Sequence, residues 1–235
     1  MFCHNISIAS ESLGNEGEPL VVVDHFFEQA AALASIAAIR PFREDVKFYP
    51  GVRTAAPKEY YLAIKRLLKT ELSSRFGFDS KDILGIDCAL SIVNKAPNEL
   101  NLYQRIPHFD TPKKNGIACV HYLFPDDGRF GGTSFYRHKS TGFEFVNQAR
   151  LKEYHDRLRG ELESIGVPNP PQYIMGDTDL FTRYHVCDAK FNRALFYRTS
   201  SLHSGDIYPD HNFSGKPNEA RLTLTSFIQL KDVSD

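Results

Sequence analysis

Ile117-Ala118-Cys119-Val120-His121-Tyr122-Leu123-Phe124 is followed, after a polar break, by Gly131-Gly132-Thr133-Ser134-Phe135-Tyr136. Both runs are short, apolar or alternating, and bounded by Gly, Pro or Asp, which is the pattern of strands in a sheet. Similar runs at 89–93, 100–106, 143–146, 180–186, 193–197 and 221–230 extend the series in both directions. One charged segment with helical spacing, 147–165, interrupts it, and Pro168, Pro170 and Pro171 close that segment.

Further upstream, Leu20-Val21-Val22-Val23 reads as a buried strand, and Asp24 as the N-cap of an alanine-rich helix over 28–39 that stops near Pro41. Residues 40–56, punctuated by Pro and Gly, read as loop. Pro57 suits a first helical position, and Tyr61, Ile64, Leu67, Leu68 and Leu72 recur at helical spacing up to about Phe76. The two helices are expected to cover one face of a sheet. Helices first, then many short strands with one helical insertion, predict a mainly β molecule with flanking helices (α+β). The expected architecture is a double-stranded β-helix of the jelly-roll or cupin kind. The expected organisation is one catalytic domain over 1–235, with a helical buttress at about 20–80, the β core at about 83–231 and the insertion at about 147–165.

Composition narrows the function classes. At 235 residues, 42% apolar and 24% charged, the chain is long enough and apolar enough to bury a core, which excludes a disordered segment. Its 28 basic and 29 acidic side chains leave a net charge of −1, so no global field draws it to nucleic acid or anionic lipid. Cys3, Cys88, Cys119 and Cys187 lie far apart without a CxxC pair, against a zinc ribbon or a disulfide framework. With no apolar run long enough to span a bilayer and no secretory leader, a cytoplasmic protein with reduced thiols is expected.

The chemistry starts at Pro107-His108-Phe109-Asp110. In an extended segment, side chains at i and i+2 point the same way, so His108 and Asp110 can meet one metal. A His-x-Asp alone is also what a turn aspartate beside a strand histidine looks like. Its ordered context sets it apart. Downstream come the runs 117–124 and 131–136, then Ala194-Leu195-Phe196-Tyr197, Leu202-His203-Ser204-Gly205, and Arg221-Leu222-Thr223-Leu224-Thr225.

This order resembles the prolyl-hydroxylase-like branch of the iron(II)- and 2-oxoglutarate-dependent oxygenases over roughly residues 100 to 230. That pattern is His-x-Asp, a Tyr-Leu strand, Gly-Gly-x-x-x-Phe, an apolar strand, a His near a Gly, and a later Arg. The resemblance implies that His108, Asp110 and His203 hold iron(II) and that Arg221 grips the distal carboxylate of 2-oxoglutarate. Thr223 and Tyr122 are implied as its companions, beside the plain reading of Tyr122 as a core tyrosine. Two imidazoles and one carboxylate leave adjacent iron positions open for an oxoacid and O₂. A planar guanidinium, in turn, matches a carboxylate bidentately. Arg221 follows His203 by 18 residues, a longer interval than the family's, and the polar loop 206–219 takes up the excess.

The implied activity is hydroxylation of an unactivated C–H bond of an amino acid, a peptide or protein side chain, or a small metabolite. The alternatives are a cupin-type metal isomerase or hydrolase, and a metal-binding module without turnover. His185 and His211 are the rival metal ligands, though neither has the Leu-His-Ser-Gly setting. His121, alternating with Tyr122, is expected on the opposite face, and His155 on a solvated helix. The run Arg137-His138-Lys139 reads either as an anion site at the pocket mouth or as a solvated strand end. The segments 43–54 and 206–219 are the expected mouth loops.

Overall fold

Alternation along the last strand explains how the layers assemble. In the sequence Leu222-Thr223-Leu224-Thr225, Leu222 and Leu224 face a helical layer while Thr223 and Thr225 face inward, as the two-residue period of a strand requires. A computed structural model describes residues 2–44, 49–113 and 115–231. Eleven strands are present among them: β1 (Ser7–Leu13), β2 (Glu18–Asp24), β3 (Arg43–Glu44), β4 (Gly51–Ala55), β5 (Ile83–Val93), β6 (Ile117–Tyr122), β7 (Thr133–His138), β8 (Phe181–Cys187), β9 (Ala194–Arg198), β10 (His203–Gly205) and β11 (Leu222–Leu230). Their helices are α1 (Ala30–Ile39), α2 (Lys58–Leu67), α3 (Ser73–Phe76) and α4 (Leu151–Ile165), with a π-helical segment (Leu68–Leu72) joining α2 to α3.

The molecule is mainly β. Eight strands form one sheet in the order β1-β2-β9-β6-β11-β5-β4-β3, and three form a second in the order β10-β7-β8. Every pairing is antiparallel. The outer face of the large sheet buries Val21, Leu90, Ile117, Phe196 and Leu224 against Leu33 of α1, Ile64 and Leu67 of α2, and Phe76 of α3. Each such side chain, fully buried, contributes roughly 1.5–3 kcal/mol by leaving water. The inner face packs Leu20, Ala118, Tyr122, Leu195 and Tyr197 against Phe135 and Cys187 of the small sheet. Behind the small sheet, Tyr154 and Leu158 of α4 close a third cluster with Tyr136 and Phe181.

Several local expectations are corrected. Asp24 does not cap the first helix, which begins at Ala30 after Gln29; its carboxylate instead accepts two hydrogen bonds from Arg193, at 2.6 and 2.9 Å. Bidentate pairing with a guanidinium outweighs one cap hydrogen bond. A strand not expected from the sequence, β1, precedes β2, and 40–56 is not all loop: β3 and β4 extend the large sheet past β5. Residues 45–48 of that segment lie outside the described residues. The stretch 20–80 therefore adds strands as well as helices.

Two expected strands are absent. In 100–106, Asn101 and Gln104 cap each other reciprocally at 3.1 Å and fold Leu102–Gln104 into a 3₁₀ turn. In 143–146 only an isolated bridge, Phe145 to Ser201, forms. None of the four cysteines is in a disulfide. Among the described residues, no helix is long and apolar enough to cross a membrane.

Candidate metal centre

The His-x-Asp segment lies beside β10 as an added ribbon. His108 N–H donates to the His203 carbonyl at 3.0 Å, His203 N–H returns a bond to the His108 carbonyl at 2.8 Å, and Asp110 N–H donates to Thr199 at 2.8 Å. These bonds keep 108–110 extended, so His108 and Asp110 share one side while Phe109 turns away onto Tyr154. The same pairing brings His203 across from them, with its ring 4.4 Å from that of His108.

The ligand atoms of His108, Asp110 and His203 all lie within 4.8 Å of one another. The Asp110 carboxylate faces both rings: His108 Nε2 is 4.0 Å from Oδ1 and His203 Nε2 is 3.9 Å from Oδ2. Two donors each about 2.1 Å from one ion stand about 3.0 Å apart at a right angle and at most about 4.2 Å apart. The observed separations fall at the open end of that range, so an ion would draw the three side chains inward. His203 Nδ1 donates to the Ser201 carbonyl at 3.0 Å, which leaves the Nε2 lone pair for a metal. His108 leaves 48% of its side chain in reach of water, yet the surrounding protein still disfavours its cation. Desolvation and then the neighbouring His203 push its pKa down, and desolvation raises that of Asp110.

A second group lies along the same strand. Gly205, two residues from His203 on the same face of β10, is about 6–7 Å further along. A side chain there would touch the Arg221 guanidinium at 3.6 Å. Arg221 is buried and donates through Nε to Gly131 at 2.9 Å and through an Nη to Gly132 at 2.6 Å. Both glycines are required, since a Cβ at Gly131 would overlap Asp206 and one at Gly132 the Cys187 carbonyl. The Gly-Gly pair thus lets the β7 lead pass close enough to aim its carbonyls at Arg221.

The guanidinium spends two of its five donors this way and makes no ion pair among the described residues. Its charge is met only at a distance, by the Asp206 carboxylate and the Tyr122 and Phe124 rings, so an entering carboxylate could pair with it directly. Thr223 and Tyr122 pair directly across β11 and β6, so they share the inner face. The Arg221 guanidinium lies 5.6 Å from the Tyr122 ring centroid, and the Tyr122 hydroxyl is 2.8 Å from that of Thr133. Burial pushes the Tyr122 hydroxyl up while Arg221 pulls it back. The structure therefore gathers Arg221, Thr223 and Tyr122, as it gathers His108, Asp110 and His203.

Between the two groups stands Tyr197, buried, its ring 4.7 Å from His203 and 5.2 Å from Phe135. Sequence reasoning assigned neither Tyr197 nor Asp206, whose carboxylate accepts from Ser134 at 2.7 and 2.9 Å beside Arg221. Arg53 was missed as well. It shares a cross-sheet row with Ser91, Thr223 and Tyr122, and its charge reaches His108 and Asp110. Reading 51–55 as a strand would have turned Arg53 inward.

The other histidines separate from this centre. His121 faces the helices, stacked on Tyr60, with Nε2 2.9 Å from Asn192 Oδ1. His211 reaches the Val93 carbonyl at 3.3 Å, and His185 stands beside Glu11 and Cys187. His155, on α4, is exposed. The run 137–139 is no surface patch: Arg137 binds Glu144, and buried His138 binds Glu161 at 2.8 Å.

Comparison with known proteins gives a family and several distant likenesses. The sequence matches DUF6445, a family of unknown function, over residues 4–228. No curated protein matches it. Among solved structures, the chain resembles the non-heme alpha ketoglutarate dependent epimerase SnoN from nogalamycin biosynthesis. That likeness has 11% identity and a TM-score of 0.46, covering 92% of this chain and 82% of that one. EvdO2 from Micromonospora carbonacea var. aurantiaca, solved with 2-oxoglutarate, gives 11% identity and 0.43, covering 97% and 96%. An N-substituted L-amino acid dioxygenase from Burkholderia ambifaria AMMD gives 9% and 0.40, covering 93% and 87%.

Proposed function

The chain belongs to the DUF6445 family, and we propose that it is a non-haem iron(II)- and 2-oxoglutarate-dependent oxygenase that hydroxylates an unactivated C–H bond. The observation that carries this reading is one strand, β10, presenting His203 to Asp110 and His108 while Gly205 opens onto a buried Arg221 without an ion-pair partner among the described residues. The donor set suits iron, and the guanidinium suits the far carboxylate of a short dicarboxylic acid held at that iron.

Strand order supports the fold half of the proposal. We read β5-β11-β6-β9 and the 108 ribbon-β10-β7-β8 as the two four-stranded halves of a double-stranded β-helix. The whole chain is then one catalytic unit of the prolyl-hydroxylase-like branch.

When bound, iron(II), 2-oxoglutarate and O₂ supply the oxidising chemistry, hydroxylating substrate while oxoglutarate becomes succinate and CO₂. The chain's own residues do the rest. His108, Asp110 and His203 hold the metal, with Ser201 fixing the His203 tautomer. Arg221 binds the distal carboxylate, with the Thr223 and Tyr122 hydroxyls as further donors. Phe135 and Tyr197 wall the space behind His203 and keep water out. Substrate, an amino acid, peptide side chain or small metabolite, approaches on the open side of His108, and neither nucleic acid nor membrane is needed. Four thiols outside any disulfide suit the reducing cytoplasm.

The test is anaerobic equilibrium dialysis. One iron(II) equivalent that depends on Asp110 is expected, with oxoglutarate retained only when that iron is present. Oxoglutarate binding unaffected by iron or by Asp110→Ala would refute the proposal.

A further inference from the structure

A second group of ligating side chains lies at the opposite edge of the small sheet. β1 is the outermost strand of the large sheet and β8 of the small one, and Glu11, His185 and Cys187 meet in the seam between them. Glu11 occupies the row that continues through Leu20 to Tyr197, so it points to the inner face. His185 opposes Phe135 in register, so it and Cys187, at i and i+2, also point inward from β8.

The distances fit one ion. Cys187 Sγ lies 3.5 Å from His185 Nε2, and Glu11 Oε1 lies 3.4 Å from the same nitrogen. The three ligand atoms are all within 4.8 Å of one another. Tetrahedral zinc, with bonds of about 2.3 Å to sulfur and about 2.0 Å to nitrogen and oxygen, places N and S about 3.5 Å apart and N and O about 3.3 Å apart. This seam is therefore closer to final ligand spacing than the first centre is.

Charge favours a cation here as well. Glu11 and Asp188 both act on Cys187, and Arg193, the nearby cation, is held by Asp24. Glu11 is 46% exposed, which leaves an entry path from solvent.

We propose that Glu11, His185 and Cys187 form a second metal site, selective for a thiolate-binding divalent cation of the zinc class. Thiolate, imidazole and carboxylate are the borderline-soft set that zinc takes, and three protein ligands leave its fourth position for water. An ion there ties β1 to β8 and closes the open edge between the two sheets, so its role is to brace the cavity that holds the first centre.

The test is cobalt(II) titration of full-length protein carrying His108→Ala and Asp110→Ala, so that the first centre does not compete. Cobalt should produce a thiolate-to-metal charge-transfer absorption that saturates at one equivalent and is displaced by zinc. Cys187→Ser should abolish it, and zinc should raise the thermal midpoint of the parent but not of this variant. Should Cys187→Ser unfold, the exposed Glu11→Gln carries the test, with an expected loss of at least about ten-fold in metal affinity. A titration without thiolate absorption, a band that survives Cys187→Ser, or unchanged affinity in Glu11→Gln would each overturn the site.

Discussion

Arg221 carries two tasks at once, and separating them is the sharpest residue-scale prediction. Its guanidinium satisfies the Gly131 and Gly132 carbonyls before any ligand arrives. Arg221→Ala should therefore lower stability by about 1–3 kcal/mol, because the Gly131 carbonyl loses this donor while the Gly132 carbonyl keeps the Asp206 N–H at 3.1 Å. It should also weaken oxoglutarate binding by about 2–5 kcal/mol, the cost of truncating one partner of a buried charge pair. Arg221→Lys keeps the charge but loses the planar fork, so partial rescue of binding is expected. Thr223→Val, which removes one neutral hydrogen bond, should cost about 1 kcal/mol in oxoglutarate affinity. Titration of oxoglutarate into each variant, alongside urea unfolding, reads both effects; an unchanged oxoglutarate midpoint in Arg221→Ala would move the anchor to another cation, Arg53 first.

His121 gives a residue-scale pH dependence outside the proposed centre. It is buried, donates to Asn192, and burial lowers its pKa to about 4. In the unfolded chain it titrates near 6.5. Between those values the unfolded state binds the proton and the folded state does not, so stability is full above about 6.5 and falls as pH drops toward 4. The total loss is on the order of 3 kcal/mol. A wild-type unfolding midpoint that declines over this window, with a flatter profile in His121→Phe, is the expected result, and equal slopes would contradict it.

At the scale of elements, the placement of β7 rests on the close backbone approach of Gly131 and Gly132 as well as on its buried Phe135 and Tyr136. Gly132→Ala forces a Cβ into the Cys187 carbonyl of β8, so β7 must shift, at a cost of about 1–3 kcal/mol. Because the same shift moves the carbonyls under Arg221, oxoglutarate affinity should fall too, although residue 132 touches no ligand. Stability loss with unaltered affinity would show that the two are not coupled.

Which elements were legible in the sequence follows from what each one buries. β11 announces itself because its leucines and threonines face different layers. β1 does not, since six of its seven residues are exposed or half-buried and no apolar alternation results. The 100–106 run has strand-like apolar spacing, but the Asn101–Gln104 capping pair, a local signal, decides it. At the site, His108, Asp110 and His203, grouped through the family resemblance that their order carries, do lie together, whereas Tyr197 and Arg53 enter through sheet register, which no local pattern encodes.

For the whole molecule, the proposed centre sits between two sheets that the metal and oxoglutarate would draw together. Ligand that binds only the folded state at one hundred times its dissociation constant adds about 2.7 kcal/mol. For a chain of this size that corresponds to roughly 5–11 °C in thermal midpoint. Iron(II) and oxoglutarate together, under anaerobic conditions, should produce such a shift in wild type but not in Asp110→Ala.

On the proposed reading, one face of β10 presents a metal centre and an oxoglutarate anchor as parts of a single site. Its most direct test is the visible charge-transfer absorption of an iron–oxoacid chelate, recorded anaerobically as oxoglutarate is added to the iron(II)-loaded protein. A weak band is expected that saturates at one equivalent, vanishes in His203→Ala, and in Arg221→Ala appears only at far higher oxoglutarate concentration. Iron-loaded, folded wild-type protein that develops no such band would contradict that reading.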